Sequence, residues 1–220
     1  MKKLLIIALA FLTTNAHGAI RPYYNDIKLP TQKMVEYQLL ANLSAASSAL
    51  ILTANAGPTS AAAVSITTFG SQPDVPRIIS ITPGFSTGDV AACVVTLTGT
   101  DILNNAITED VSFLANASTV RNSLMAFKTI TQIDFAASCE DAPYVATWYV
   151  GIGESVGAKR CMSNAGAYLH SALNGAKETT AAVVVADEEE VSKNVFDFNG
   201  TMNGTNDFEV YFMQNFQCTN

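Results

Sequence analysis

Between Gln72 and Phe135, short runs of Val, Ile, Thr and Phe are broken repeatedly by Gly, Asn, Asp, Ser and Pro. β-Branched and aromatic side chains suit a pleated surface, and the breakers supply the φ values that end a strand. The pattern predicts successive β-strands joined by tight turns. The stretch holds no histidine and no cluster of ligand-type side chains. It reads as a scaffold that pairs strands and presents surface.

Period-two alternation assigns faces within these runs. Ile79 and Ile81 share one face of 77–82, and Cys93, Val95 and Leu97 share one face of 92–98. In 106–114 the inward set is Ile107, Val111 and Phe113, against Thr108, Asp110 and Ser112. Glu109 falls on the inward side of that pattern, which implies a sheet edge or a bulge. A strand is predicted from Phe127 to Phe135, with Phe127, Ile133 and Phe135 together; Trp148 and Val150 share a face of the next. In the last strand, from Asp207 to Cys218, Phe208, Val210 and Phe212 oppose Glu209, Tyr211 and Met213.

Turn chemistry supplies the connections. Asn174-Gly175, between YLHSAL and AKETT, is a two-residue hairpin signal, since both residues tolerate φ > 0. Asn199-Gly200 and Asn203-Gly204 mark a second turn region. Many short strands at this spacing predict a mainly β protein, an antiparallel β-sandwich or related barrel. Residues 19–70 are richer in Ala and Ser and read as an extended N-terminal arm with first strands (Met34–Leu43, Leu50–Thr53, Ala61–Phe69); 71–220 reads as the sandwich domain.

Residues 1–18 have the layout of a secretory leader: a Lys2-Lys3 start, the apolar run Leu4–Leu12, and small residues at Ala16 and Gly18. Nine apolar residues are too few for a membrane span, which needs about 20. Removal of the leader leaves 10 basic and 19 acidic residues, and no membrane contact is expected afterwards. The acidic balance, −7 for the whole chain, argues against nucleic acid, because no basic patch exists to displace counterions from phosphates. Only 14% of the residues are charged and 49% are hydrophobic. So sparse a charge suits either a Thr/Ser/Asn-covered surface or one covered by other subunits.

Four cysteines, Cys93, Cys139, Cys161 and Cys218, allow three pairings, and none has a C-x-x-C spacing. An exported chain is expected to hold two disulfides. Cys139 and Cys161 flank one predicted hairpin, so Cys139–Cys161 is the expected bridge, with Cys93–Cys218 the other. In a cytoplasmic protein the same four read as small buried hydrophobes.

Signals for chemistry are few. His17 lies in the leader, and His170 sits mid-strand, where packing is its expected role. There is no H-E-x-x-H. Gly151-Ile152-Gly153-Glu154-Ser155-Val156-Gly157 departs from the dinucleotide fingerprint by one place and reads as a glycine-flexed strand. The acidic run Asp187–Glu190 lacks EF-hand spacing and reads as a solvated turn. No catalytic residue, cofactor site or metal site is assigned. For an enzyme acting on a polymer, Glu109, Glu154 and His170 would be the candidates.

The ordered set PDVPR (73–77), RIISITPG, VVTLTGTD (94–101), ITED (107–110), AFKTIT (126–131), VGIGESVG (150–157), LNGAKE (173–178) and EVSKNVFDFNGTMNGTNDFEVYF (190–212) resembles a β-rich family of tailed-bacteriophage virion proteins. The resemblance covers about residues 72–217. It implies a non-enzymatic virion structural protein: a capsid decoration or cementing component, or a tail or neck component. Its expected partners are other copies of itself and the major capsid or tail proteins. The leader departs from that family and favours a rival reading, an exported bacterial surface or extracellular β-sandwich that polymerises or binds a ligand.

Overall fold

The computed structural model describes residues 34–58, 62–84, 92–115, 119–139 and 147–215. The leader, the arm up to residue 33, and Cys218 lie outside the described residues. The strands in chain order are β1 (Val35–Leu40), β2 (Ser47–Ala56), β3 (Val64–Ile66), β4 (Arg77–Gly84), β5 (Cys93–Thr100), β6 (Ala106–Phe113), β7 (Arg121–Phe127), β8 (Thr129–Phe135), β9 (Thr147–Gly157), β10 (Tyr168–Leu173), β11 (Ala176–Lys177), β12 (Val183–Val185), β13 (Val195–Asp197) and β14 (Phe208–Met213).

The expected fold class is what is found: every pairing is antiparallel, and the described residues hold no α-helix. One sheet runs β1-β14-β10-β11, a second β12-β13-β9-β4-β7 with β2 on β9, and a third β3-β8-β5-β6. β1, β2 and β3 therefore pair with β14, β9 and β8. From residue 34 the described chain is part of the sheets, within one unit. The sequence boundary at 70 does not separate it.

The main core lies between the second and third sheets. Ile79, Ile81, Trp148, Val150 and Ile152 meet Val95, Leu97, Val111, Phe113, Ile133 and Phe135. Trp148 is the centre of an aromatic cluster, edge-on to Phe113 at 5.2 Å and tilted on Phe135 at 5.2 Å. Each such pair adds about 1 kcal/mol beyond the apolar area it hides. A second core joins Phe208, Val210 and Phe212 of β14 to Val156, Phe196 and Phe198.

The strand expected from Phe127 to Phe135 does not run unbroken: Phe127 ends β7 and Thr129 begins β8. It breaks at Lys128, whose N–H bonds Thr100 O. β7 then pairs with β4 in one sheet and β8 with β5 in the other. Phe127, Ile133 and Phe135 still share the main core. Alternation foresaw the common burial but not the change of sheet, because a chain crossing between facing layers keeps its apolar side chains pointed inward.

The glycines of 151–157 are explained by crowding rather than flexure. A Cβ on Gly151 would lie 1.6 Å from Ser47 O, and one on Gly153 would lie 2.5 Å from Ile78 Cγ1. β2 crosses β9 so closely that no side chain fits. The Asn174-Gly175 hairpin forms as expected: Leu173 pairs with Ala176, with φ of 49° and 78° at the two turn residues.

Asn194 organises the segments around β13. It is wholly buried. Its Oδ1 accepts from Met162 N and Asp187 N, both at 2.9 Å, and its Nδ2 donates to Asp187 O at 2.9 Å and Glu190 O at 2.8 Å. All the capacity of the amide is used. Asn194→Ala should lower stability by about 2 to 3 kcal/mol, because backbone groups of two loops lose their partner out of reach of water. Urea denaturation measures this, and an unchanged midpoint would show that the loops hold themselves.

Candidate interaction surface

The sheet of β1, β14, β10 and β11 buries Phe208, Val210 and Phe212 on one face. Alternation puts the intervening residues on the other. There Tyr37, Tyr211 and His170 stand side by side, because the register aligns Tyr37 with Tyr211 and Tyr211 with His170. The Tyr37 and Tyr211 ring centroids are 5.1 Å apart; His170 stacks on Tyr211 at 4.5 Å with its plane within 15°. The packing role expected of His170 is the one it has.

Apolar side chains extend this row. Val35, Leu39 and Leu169 are exposed, at 57%, 52% and 44%, and Met213 pairs across from Val35. Leu169 takes the position where β10 shifts register between Tyr168 and His170. The result is an aromatic and aliphatic face on the outer side of this sheet. Single exposed apolar residues are ordinary; a contiguous set on one face marks a contact surface.

Polar groups frame the face. Lys159 Nζ pairs with Glu36 Oε1 at 2.5 Å and also bonds Tyr37 O at the edge of β1. Gln38 Nε2 donates to Gly157 O at 3.0 Å, and its Oε1 accepts Lys159 N at 2.9 Å. The lysine and glutamine close this end strand against further strand pairing, so the face is on offer rather than the edge. The Tyr211 hydroxyl donates to Glu209 Oε2 at 3.2 Å. Desolvation first, then Glu209 and Tyr37, raise the Tyr211 pKa above its ordinary value, so the phenol stays neutral.

The residues singled out from sequence fall in separate places. Glu109, on β6, reaches across the seam between two sheets: its Oε1 accepts Leu124 N at 2.6 Å and its Oε2 accepts Met125 N at 2.8 Å. The carboxylate stands where a strand would otherwise pair with β7. Glu154 lies on β9 and His170 on β10, and no hydrogen bond or ion pair joins any two of the three among the described residues. Asp187, which begins the acidic run, caps its own turn by accepting Glu189 N and Glu190 N, both at 2.8 Å. Among the described residues no cluster of three metal-binding side chains forms.

The expected cysteine pairs are corrected. Cys93 bonds Cys139, with Cα atoms 5.0 Å apart, so neither Cys139–Cys161 nor Cys93–Cys218 exists. β5 and β8 are partners, and the short 3-10 turn Ala137–Cys139 after β8 brings Cys139 back to the start of β5. Proximity came from strand pairing across 46 residues, not from the hairpin that Cys139 and Cys161 flank. Cys161 is disulfide-bonded as well.

Glu109 makes a pH-dependent contribution. Burial raises its pKa above the ordinary value, opposed by the two amide bonds and by Lys193. A raised carboxyl stabilises the fold below the ordinary Glu pKa of about 4.3, and that contribution is lost as pH rises through the folded value. Wild type should therefore lose stability relative to Glu109→Gln between about pH 4 and pH 7. Parallel urea midpoints at the two pH values check the sign, and a gap that moves the other way refutes it.

Compared with protein families, curated proteins and solved structures, the chain matches none.

Proposed function

We propose that the protein is a non-enzymatic structural component that assembles through exposed sheet faces, as a capsid decoration or cementing protein of a bacteriophage virion; a tail or neck component is the alternative within that class. The carrying observation is the Tyr37–Tyr211–His170 row with Val35, Leu39 and Leu169 around it. Docked against another copy or a capsid protein, this face takes a row of apolar and aromatic side chains out of water, with Glu209 accepting the Tyr211 hydroxyl beside them. The ordered sequence resemblance supplies the virion context.

The experiment is sedimentation of the purified chain alone and with capsids. Self-association or capsid binding is expected. Tyr37→Lys and Leu39→Lys should each weaken it about tenfold or more, the equivalent of 1.4 kcal/mol. Leu39 is exposed, so the stability of Leu39→Lys should stay within about 0.5 kcal/mol of wild type, whereas Tyr37→Lys also loses its ring contact with Tyr211, worth about 1 kcal/mol. A stable monomer that ignores capsids and tails would refute the reading.

A second reading is favoured by one observation. Cys93 and Cys139 form a disulfide and Cys161 is in another, and disulfides persist mainly in oxidising compartments. With the leader-like residues 1–18, this supports an exported surface protein that assembles through the same face. Fractionation separates the two readings: a processed form starting near Ala19 in periplasm or medium favours export.

A further inference from the structure

A second region of the molecule has the makings of a binding site. Ser80 of β4 is 7% exposed, and its hydroxyl has no hydrogen-bond partner. It lines a cavity of about 360 Å³ over β4, β7, β9 and β13, together with Asn122, Glu154 and Asp197. Among the described residues neither carboxylate is in a salt bridge, and Glu154 feels the charge of buried Arg77. An adjoining cavity of about 280 Å³ is lined by Glu154, Phe198 and Asn199. Ala46 and Glu154 belong to both walls, so the two spaces adjoin at Glu154, a groove of two neighbouring parts.

The chemistry of the lining selects the ligand. A buried hydroxyl without a partner costs free energy that a ligand hydrogen bond would recover. Two unpaired carboxylates accept hydrogen bonds and repel anions. No Lys, Arg or His lines either cavity, so phosphates, nucleic acid and acidic sugars have no counter-charge. Phe198 gives the second cavity an apolar wall. The first space is within the size range of small-molecule sites, which starts near 300 Å³, and the second falls just below it. A partner fitting all of this carries many hydroxyl donors, weakly polar C–H faces, no negative charge and an extended shape.

We propose that this groove binds a neutral oligosaccharide, with Glu154 and Asp197 accepting sugar hydroxyls and Ser80 completing its hydrogen bonding on the bound sugar. The groove does not depend on the assembly face, and no hydrolysis is assigned to it.

The test is calorimetric titration with a panel of neutral hexasaccharides of glucose, N-acetylglucosamine, mannose and galactose. A polygalacturonate hexamer serves as the anionic control, and the series is run in chelator and again with calcium. At least one neutral hexasaccharide should bind in chelator, and the acidic one should not. Ser80→Ala should weaken binding about tenfold without lowering the urea midpoint, because it removes a hydroxyl that has no partner in the fold. Glu154→Gln and Asp197→Asn should each weaken it several-fold. The proposal fails if no neutral sugar binds, if all three variants bind like wild type, if the anionic hexamer binds tightest, or if calcium binds and no sugar does.

Discussion

Asp74→Ala should cost about 3 to 5 kcal/mol of stability, a large effect for one partly exposed carboxylate. The reason is Arg77, which is fully buried at the start of β4. Its Nε lies 3.3 Å from Asp74 Oδ1, its Nη2 bonds Ser44 O, and its Nη1 sits against Met202 Sδ. Burial lowers the Arg77 pKa, and Asp74 raises it back. Without the aspartate a guanidinium stays charged in an apolar setting with little to balance it. Asp74 also accepts Val75 N at 2.9 Å and Ser44 N at 2.7 Å, so two backbone donors lose their acceptor as well. The Asp74→Ala, Arg77→Met double variant should recover much of the loss, because it removes the buried charge along with its partner. Denaturation of the three variants decides the matter: a loss below about 1 kcal/mol for Asp74→Ala would mean that Arg77 finds compensation elsewhere. The PDVPR segment thus serves as a fastening between the start of β2 and the middle sheet, for Pro76 O also accepts Gly157 N at 2.7 Å.

Cys93→Ala with Cys139→Ala should lower stability by about 4 kcal/mol at most, the loop-closure value for a bridge across 46 residues. The closed loop contains β6, β7 and β8 and so spans both sheets of the main core. The unfolded chain with the bridge intact has far fewer conformations to lose on folding. Both cysteines are buried in that core, so reductant should act slowly on the folded protein and fast on the unfolded one. Urea midpoints of wild type with and without reductant, beside the double variant, measure the effect. Equal midpoints for all three would show that the bridge adds nothing to the fold.

Several elements were legible because their causes are local. Phe208, Val210 and Phe212 are fully buried while Glu209 and Tyr211 face outward, as period-two alternation requires; Met213, at the strand's end, packs in part against the second core. Cys93, Val95 and Leu97 follow the same rule. Asn174 and Gly175 make their turn because they are the residues that tolerate its backbone. Asn203 shows the same economy: its Oδ1 accepts Thr205 N and Asn206 N, both at 3.0 Å.

The contact surface was only half legible. Alternation marks Tyr211 as outward and gives Tyr37 no face, and nothing in their sequence positions says that they meet. Their contact needs β1 beside β14, two strands from opposite ends of the described chain. Glu109 was marked as anomalous in its strand, and the anomaly was real. Its hydrogen-bond donors, the amides of Leu124 and Met125, belong to β7, a strand that alternation had not marked. The groove around Ser80 left no sequence signal, since serine, asparagine and isolated acids on strands are ordinary surface residues.

The amino-acid order alone determined that this is an antiparallel β protein, where most of its turns fall and which side of each strong strand is buried. Those properties depend on neighbours one or two residues away, through backbone sterics and the pleat. Tertiary structure alone decided which cysteines pair, why Gly151 admits no side chain, that Arg77 is buried, and which outward residues converge into a face or a groove. Each of these turns on which strands lie side by side, and that is settled by the packing of whole sheets over tens of residues of separation.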